Sequence, residues 1–260
     1  MFVRQDSALQ AAAAFALVAL FACAVILLTR LLSRVAASSL SGVSASLMSP
    51  LGALFGLTAA FLAASVWDSH GQAVRAANLE ARSLSEAWVT AGSLPDALRG
   101  DVRQDVDSYV HLVVTQEWPL MGSLTSFNNP VSNRARDTLL TPIHNLMAAS
   151  GAPSPALTAT ANALQSAFEA RSRRIDIALH RISLVQLSST VVLGLLLVTL
   201  VAVTHHRDPG AQIIAVGLVS LAVAVSVTTI VAHDNPFSGY MAMTAADFAN
   251  IAEYGAQGGG

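Results

Sequence analysis

Four stretches of the chain, 9–32, 47–67, 182–204 and 211–232, are apolar almost without interruption. About 20 such residues form a helix that crosses the hydrocarbon of a bilayer. The charge content agrees with this reading. Only 12% of the 260 residues are charged, against about 25% in an ordinary soluble chain. The chain has too few charges to cover a water-facing surface of its own length. The sequence therefore predicts an all-α membrane protein with four transmembrane helices. The first stretch is read as a span and not as a cleaved leader, because its apolar run is too long and no polar cleavage region follows it. Cys23 lies within that run as a small filler facing lipid or another helix.

Four spans return both termini to one side and place residues 68–181 there as well. Arginines near the span ends on that side are Arg4, Arg75, Arg82, Arg171, Arg173, Arg174 and Arg181; the other side has Arg30, Arg34 and Arg207. Seven against three predicts that the termini and the long segment are cytoplasmic. The expected organisation is a first helix pair over 1–67, a helical cytosolic domain over 68–181, a second pair over 182–232 and a cytosolic tail over 233–260.

Within 68–181 the apolar residues recur at helical spacing. Val74, Ala77, Ala81, Leu84 and Trp88 form one seam. With no proline between Pro50 and Pro95, the second span is expected to run on to about residue 91, with Ser49-Pro50 as its N-cap and first turn. Leu98, Val102, Val106, Tyr109 and Val113 make the buried stripe of a helix that is expected to stop at Glu117-Trp118-Pro119. A shorter helix is expected over 134–149, with Leu139, Ile143 and Leu146 inward. Ser154-Pro155 opens the last helix. Its alternation through Leu164, Phe168, Arg171, Ile175 and Ile182 predicts an unbroken passage into the third span. Spans 2 and 3 are thus both expected to extend as stalks. Arg171 falls on an apolar seam: it either snorkels or pairs with an acid such as Glu80 or Glu86, or it lines a passage through an oligomer. Glu80, beside the first seam, likewise needs an arginine or a water-filled passage.

The second span separates into two faces. Gly52, Gly56, Ala60 and Ala64 recur every four residues, the stripe that lets another helix approach closely. Leu54, Thr58, Phe61, Ser65 and, at the exit, Asp68 occupy the other face. Apolar rings gate by dewetting and hydroxyls ease partial dehydration, so this face is a candidate pore lining. The competing reading is an ordinary lipid-facing surface whose hydroxyls bond back to the helix. Arg30 is nearly the only ionisable residue within the spans, which argues against a proton-coupled pump with an intramembrane relay.

Other chemistry finds little support. The net charge of −2 excludes a strongly basic nucleic-acid binder. One cysteine excludes a disulfide framework or a multi-cysteine metal site. All 14 basic residues are arginine, so lysine chemistry is unavailable. His205-His206 reads as a solvated turn rather than a metal site. Asp107 and His111 read as a local pair. No phosphate-binding, nucleophile-elbow or zinc-protease motif occurs. No catalytic residue, metal or cofactor is expected; an enzyme reading would need Glu80, His111 and Glu117 to converge. In the tail, Asn235-Pro236 and Ser238-Gly239 are turn chemistry. Thr244 and Asp247 open a short helix that is expected to fold back onto the cytoplasmic helices or a neighbouring subunit.

Three stretches, LGALFGLTAAFLAASVWDSHGQAVRAANLEARSL, VTQEWPLM and HDNPFSGYMAMTAADFANI, resemble in order and spacing the bacterial bestrophin-like membrane proteins. The matching residues are Gly52, Gly56, Phe61, Trp67, Glu80, Glu117, Trp118, Pro119, Pro236, Phe237, Ser238 and Gly239. The resemblance implies kinship with bestrophins, which are pentameric, mainly anion-conducting channels with four membrane helices per subunit, and a bacterial plasma membrane is the expected location of this chain. In them the second helix lines a hydrophobic neck, and a helical cytosolic domain lies between spans 2 and 3. It implies membrane lipid, ions and further copies of the chain as partners. The bestrophin acidic calcium-binding cluster has no counterpart at a matching position here, so calcium gating does not carry over. The alternative expectation is a non-conducting membrane scaffold or sensor whose cytosolic helices bind a partner.

Overall fold

A computed structural model describes residues 2–36, 40–123, 126, 128–148, 154–180, 182–238, 243–245 and 248. All regular structure among them is helical. The principal helices are α1 (Phe2–Ala36), α2 (Leu40–Ala91), α3 (Asp96–Leu112), α4 (Trp118–Leu120), α5 (Pro130–Ala148), α6 (Pro155–Leu179), α7 (Leu184–Thr204) and α8 (Pro209–Ala232). The chain divides into two compact units, 1–68 with 182–234 and 69–181 with 235–260. Among the described residues three helical segments are long and apolar enough to cross a membrane: one within α2, one in the α6–α7 segment and α8. Within α1 the described residues include the apolar stretch Phe15–Leu31.

Two helix starts arise directly from local chemistry. Ser154 accepts the Leu157 amide at 3.1 Å and precedes Pro155 at the first helical position. Asp208 does the same for α8, accepting the amides of Gly210 and Ala211 at 2.9 and 3.2 Å ahead of Pro209.

Three expectations are corrected. Ser49-Pro50 does not begin the second span: α2 starts at Leu40 and Pro50 lies inside it. A proline removes one backbone donor, and the rest of the ladder carries the helix across the gap. The helix before Pro119 does not stop there. It changes register into a π-helical turn over Val113–Glu117, and helix continues through α4 and a 3₁₀ turn at Met121–Ser123. Finally, α6 does not run unbroken into α7, so the third span is not extended as a stalk. His180 takes an extended backbone (φ −86°, ψ 102°), and α7 begins only after Ser183. The Ile182 amide, which an unbroken helix would direct to the carbonyl of Ala178, donates to the Asp234 carboxylate at 2.7 Å.

In the first unit α1, α7 and α8 pack against one another. Ala22, Val25, Phe55, Val198, Ala202 and Val223 form its main core. Gly194 permits the closest approach there: a Cβ on it would lie 2.7 Å from Val223 Cγ1 and 3.1 Å from Phe55 Cε2. Overpacking of this kind costs about 1–3 kcal/mol. Gly194→Ala should therefore lower the melting temperature of the purified protein, and adding Val223→Ala should restore most of it. Equal melting of Gly194→Ala and the native protein would contradict this packing. Elsewhere in this unit Gln212, fully buried, donates to Thr29 Oγ1 at 3.0 Å and to the Ala202 carbonyl at 2.9 Å. This satisfies an amide that would otherwise be costly in an apolar interior.

The second unit is built on α3, α5 and α6 with the latter part of α2. Ala73, Ala77, Leu84, Val106, Leu139 and Leu164 are among its buried residues. The seam of α2 is broader than its spacing implied, because Ala76, Glu80, Ser83, Ala87 and Ala91 are buried too. The tail returns to its own unit. Asn235 accepts the Phe237 amide at 2.9 Å and donates to the Gly122 carbonyl at 3.2 Å, and Phe248 is fully buried. Gly239 and Asp247 lie outside the described residues.

Candidate functional site

The sequence singled out two groups of residues, one on each unit. Over residues 52–68, α2 has three sectors. One is buried within its own unit: Phe55, Leu62 and Val66, with Ala59 and Ala63 partly covered. At 100° per residue the small residues lie to one side of it. Gly52 and Gly56 face open space where a Cβ would stand, and Ala60 and Ala64 are exposed. To the other side lie Leu54 (51% exposed), Thr58, Phe61 (67% exposed), Ser65 and Asp68. The Thr58 hydroxyl, half-buried, donates to the Phe55 carbonyl of its own helix at 3.0 Å. Trp67 is exposed at the end of this unit.

In the second unit, four charges from three distant parts of the sequence meet in the core. Arg174 donates from Nε to Glu80 Oε2 at 2.7 Å, from Nη2 to Glu80 Oε1 at 3.0 Å, and from Nη2 to Glu117 Oε2 at 2.9 Å. Arg171 Nη2 donates to Glu117 Oε1 at 2.5 Å and to the carbonyl and hydroxyl of Ser132 at 2.7 and 2.9 Å. The Tyr109 hydroxyl donates to Glu80 Oε1 at 2.5 Å. Glu80, Tyr109 and Arg174 are fully buried, and Glu117 and Arg171 nearly so. Two guanidiniums balance two carboxylates, as burial of charge demands. The Arg174 guanidinium also lies 5.2 Å from the centre of the Trp118 ring and 5.9 Å from that of Phe248. Trp118 packs edge-on against Phe237 at 5.7 Å and donates from Nε1 to the Met243 carbonyl at 3.1 Å.

The π-helical turn helps to place Glu117 and Trp118. The Trp118 amide reaches back five residues to Val113 instead of four, and Pro119 has no amide to offer. The extra residue rotates the succeeding turn, so that Val113, Glu117, Trp118 and Met121 all face the core. Gly122 permits the tail to close on this turn, since a Cβ there would meet Ser238 Cβ at 2.9 Å.

Burial acts to raise the Glu117 carboxyl pKa, and the two facing guanidiniums outweigh it, holding the group below its usual value of 4.5. Burial pushes the Tyr109 hydroxyl well up, with Glu80 adding to the effect. The cluster therefore holds Glu117 as a carboxylate and Tyr109 as a neutral phenol. Its geometry suits cohesion of the unit.

Several sequence-derived residues thus come together: Glu80, Glu117, Trp118 and Phe237. Arg171 pairs with Glu117, not with Glu80 or Glu86. Glu80 and Arg171 were also read as candidates for lining a passage; both side chains are covered by the fold of their own unit. His111 is exposed and does not join Glu80 and Glu117. Pro119 is exposed and Pro236 buried. The sequence reading missed the central role of Arg174, which it counted only as a charge near a span. The available signal was its position three residues after Arg171, on the same helix face. Tyr109 was counted as apolar stripe; its hydroxyl was the overlooked feature. Among the described residues no group of histidine, cysteine, aspartate and glutamate is placed to hold a metal ion.

Residues 15–248 match a family model described as Bestrophin-like domain. No curated protein and no solved structure matches the chain.

Proposed function

Because the chain belongs to the Bestrophin-like family, we propose that it is the subunit of an oligomeric ion channel in a bacterial plasma membrane. In this reading the first unit lies in the bilayer with four spans, and residues 68–181 and the tail lie on the cytoplasmic side. The number of subunits is five, as the kinship with bestrophins implies, and anions are the first permeant class to test. The carrying observation is the three-sector division of α2. A helix of an inner ring has three surroundings: its own subunit, the next subunit and the axis. The buried sector of Phe55, Leu62 and Val66 serves the first. The small residues Gly52, Gly56, Ala60 and Ala64 suit close approach by a neighbouring helix. Leu54, Thr58, Phe61, Ser65 and Asp68 are left for the axis, where large apolar side chains alternate with hydroxyls in a narrow hydrophobic pore.

The test is a cryo-EM map in nanodiscs, combined with chloride efflux from liposomes. A closed ring with Leu54 and Phe61 facing a continuous axis, and efflux above that of protein-free liposomes, is the expected result. A monomer, or a ring whose α2 helices face lipid, overturns the pore. A correct ring with a sealed centre and no flux of any ion moves the protein to the scaffold class.

A further inference from the structure

We infer that the first unit carries a binding site, between α1 and α8, for an uncharged membrane-soluble small molecule with one hydrogen-bond acceptor, such as a ketone or quinone carbonyl. The helices leave a groove of about 350 Å³, within the range of small-molecule sites, about 300–1,000 Å³. Phe15, Ala22 and Cys23 line it from α1, and Ile213, Gly217 and Ser220 from α8. Its walls are almost wholly apolar except at Ser220. That residue is 7% exposed, and its Oγ is buried without a hydrogen-bond partner. A helical serine ordinarily solves this problem alone by donating to the carbonyl four residues back. Ser226 in the same helix does so at 2.8 Å to Ala222, and Thr228 does so to Ala224. Ser220 does not, which leaves an unpartnered O–H in the wall of the apolar groove near the middle of α8. An unmade hydrogen bond there is unfavourable, and an acceptor brought in by a ligand relieves it. An acyl chain fills apolar space and supplies no acceptor.

The site rests on the reading that this unit is embedded in a membrane, but its test does not involve conduction. Cys23 is the only cysteine in the sequence, is exposed and lines the groove. Its rate of modification by N-phenylmaleimide in the purified full-length protein therefore reports occupancy. The probe is benzophenone, with diphenylmethane as a partner of like shape that lacks the carbonyl. Benzophenone should slow modification at about fivefold lower concentration than diphenylmethane, the ratio that one ordinary hydrogen bond supplies. Ser220→Ala should erase the difference while leaving diphenylmethane protection intact. Gly217→Leu should abolish protection by both compounds; a side chain on Gly217 enters open space, where a Cβ has no neighbour within 4 Å. Equal potency of the two compounds in the native protein would reveal an apolar slot without carbonyl recognition and overturn the proposal. So would the absence of protection by either. A native Cys23 that stays inert without any compound would mean that a second copy or a tightly held lipid covers the groove, which also overturns it.

Discussion

Arg174→Ala should abolish the cooperative folding of the second unit. Its guanidinium touches both carboxylates of the cluster and is fully buried. Its removal leaves Glu80 with the Tyr109 hydroxyl and Glu117 with Arg171, far from water. Breaking a buried pair by deleting one partner costs about 3–5 kcal/mol. That is a large part of the roughly 5–15 kcal/mol available to a typical domain. The measurement is thermal unfolding of the purified protein together with its rate of chymotrypsin cleavage. Melting close to that of the native protein would show that the network contributes little. Adding Glu80→Gln to Arg174→Met should recover part of the loss, because the cost comes mainly from stranded charge. The same cluster sets an acid limit. The Glu117 carboxyl is depressed on folding, so its contribution is present above the usual carboxylate value of 4.5 and is lost as pH falls through its lower folded value. The melting temperature should hold from neutrality down to the ordinary carboxylate range and fall steeply below it. A decline that begins near neutrality would place the sensitivity elsewhere.

Leu54→Ala with Phe61→Ala should raise ion flux by an order of magnitude or more if these side chains form the constriction. A hydrophobic gate closes by excluding water, and its barrier rises steeply as the passage narrows. Truncating two exposed side chains leaves the core of the unit unaltered, because its contacts come from Phe55, Leu62 and Val66 on another sector. Assembly should therefore survive, and size and melting of the double variant check this. Single-channel conductance, or the initial rate of chloride efflux from liposomes, reads the effect. Unchanged flux from a correctly assembled double variant would remove Leu54 and Phe61 from the pore. Gly56→Leu, on the small-residue sector, should instead impair assembly, and the two variants thus separate the two open faces of α2.

Much of the local structure was legible in the chain. Ser154-Pro155 starts α6 as its local chemistry predicts, because a capping oxygen and a ring-fixed φ act within three residues. The stripes of Val102, Val106 and Tyr109, and of Leu139, Ile143 and Leu146, are buried as their spacing predicts. The errors arose where the deciding partner is remote or the proline rule is too coarse. Pro50 and Pro119 each remove one donor without ending the helix, since the neighbouring bonds persist in the same or a shifted register. No periodicity in 155–204 reveals that the Asp234 carboxylate, about fifty residues away, takes the Ile182 amide and accompanies the break between α6 and α7.

By itself, the sequence determined that this protein is helical, where its apolar segments lie, and which small and large residues share the sides of the second span. Those properties depend on composition and on the 3.6-residue period, both of which act along the chain. Only the tertiary structure decided which third side of that helix is buried, which arginine meets which glutamate, and which serine in α8 is left without an acceptor. Each of these depends on contacts between helices that sequence distance does not encode. Charge pairing and hydrogen bonding act over about 3 Å in space, and Glu80 and Arg174 come that close only because the packed helices bring them together.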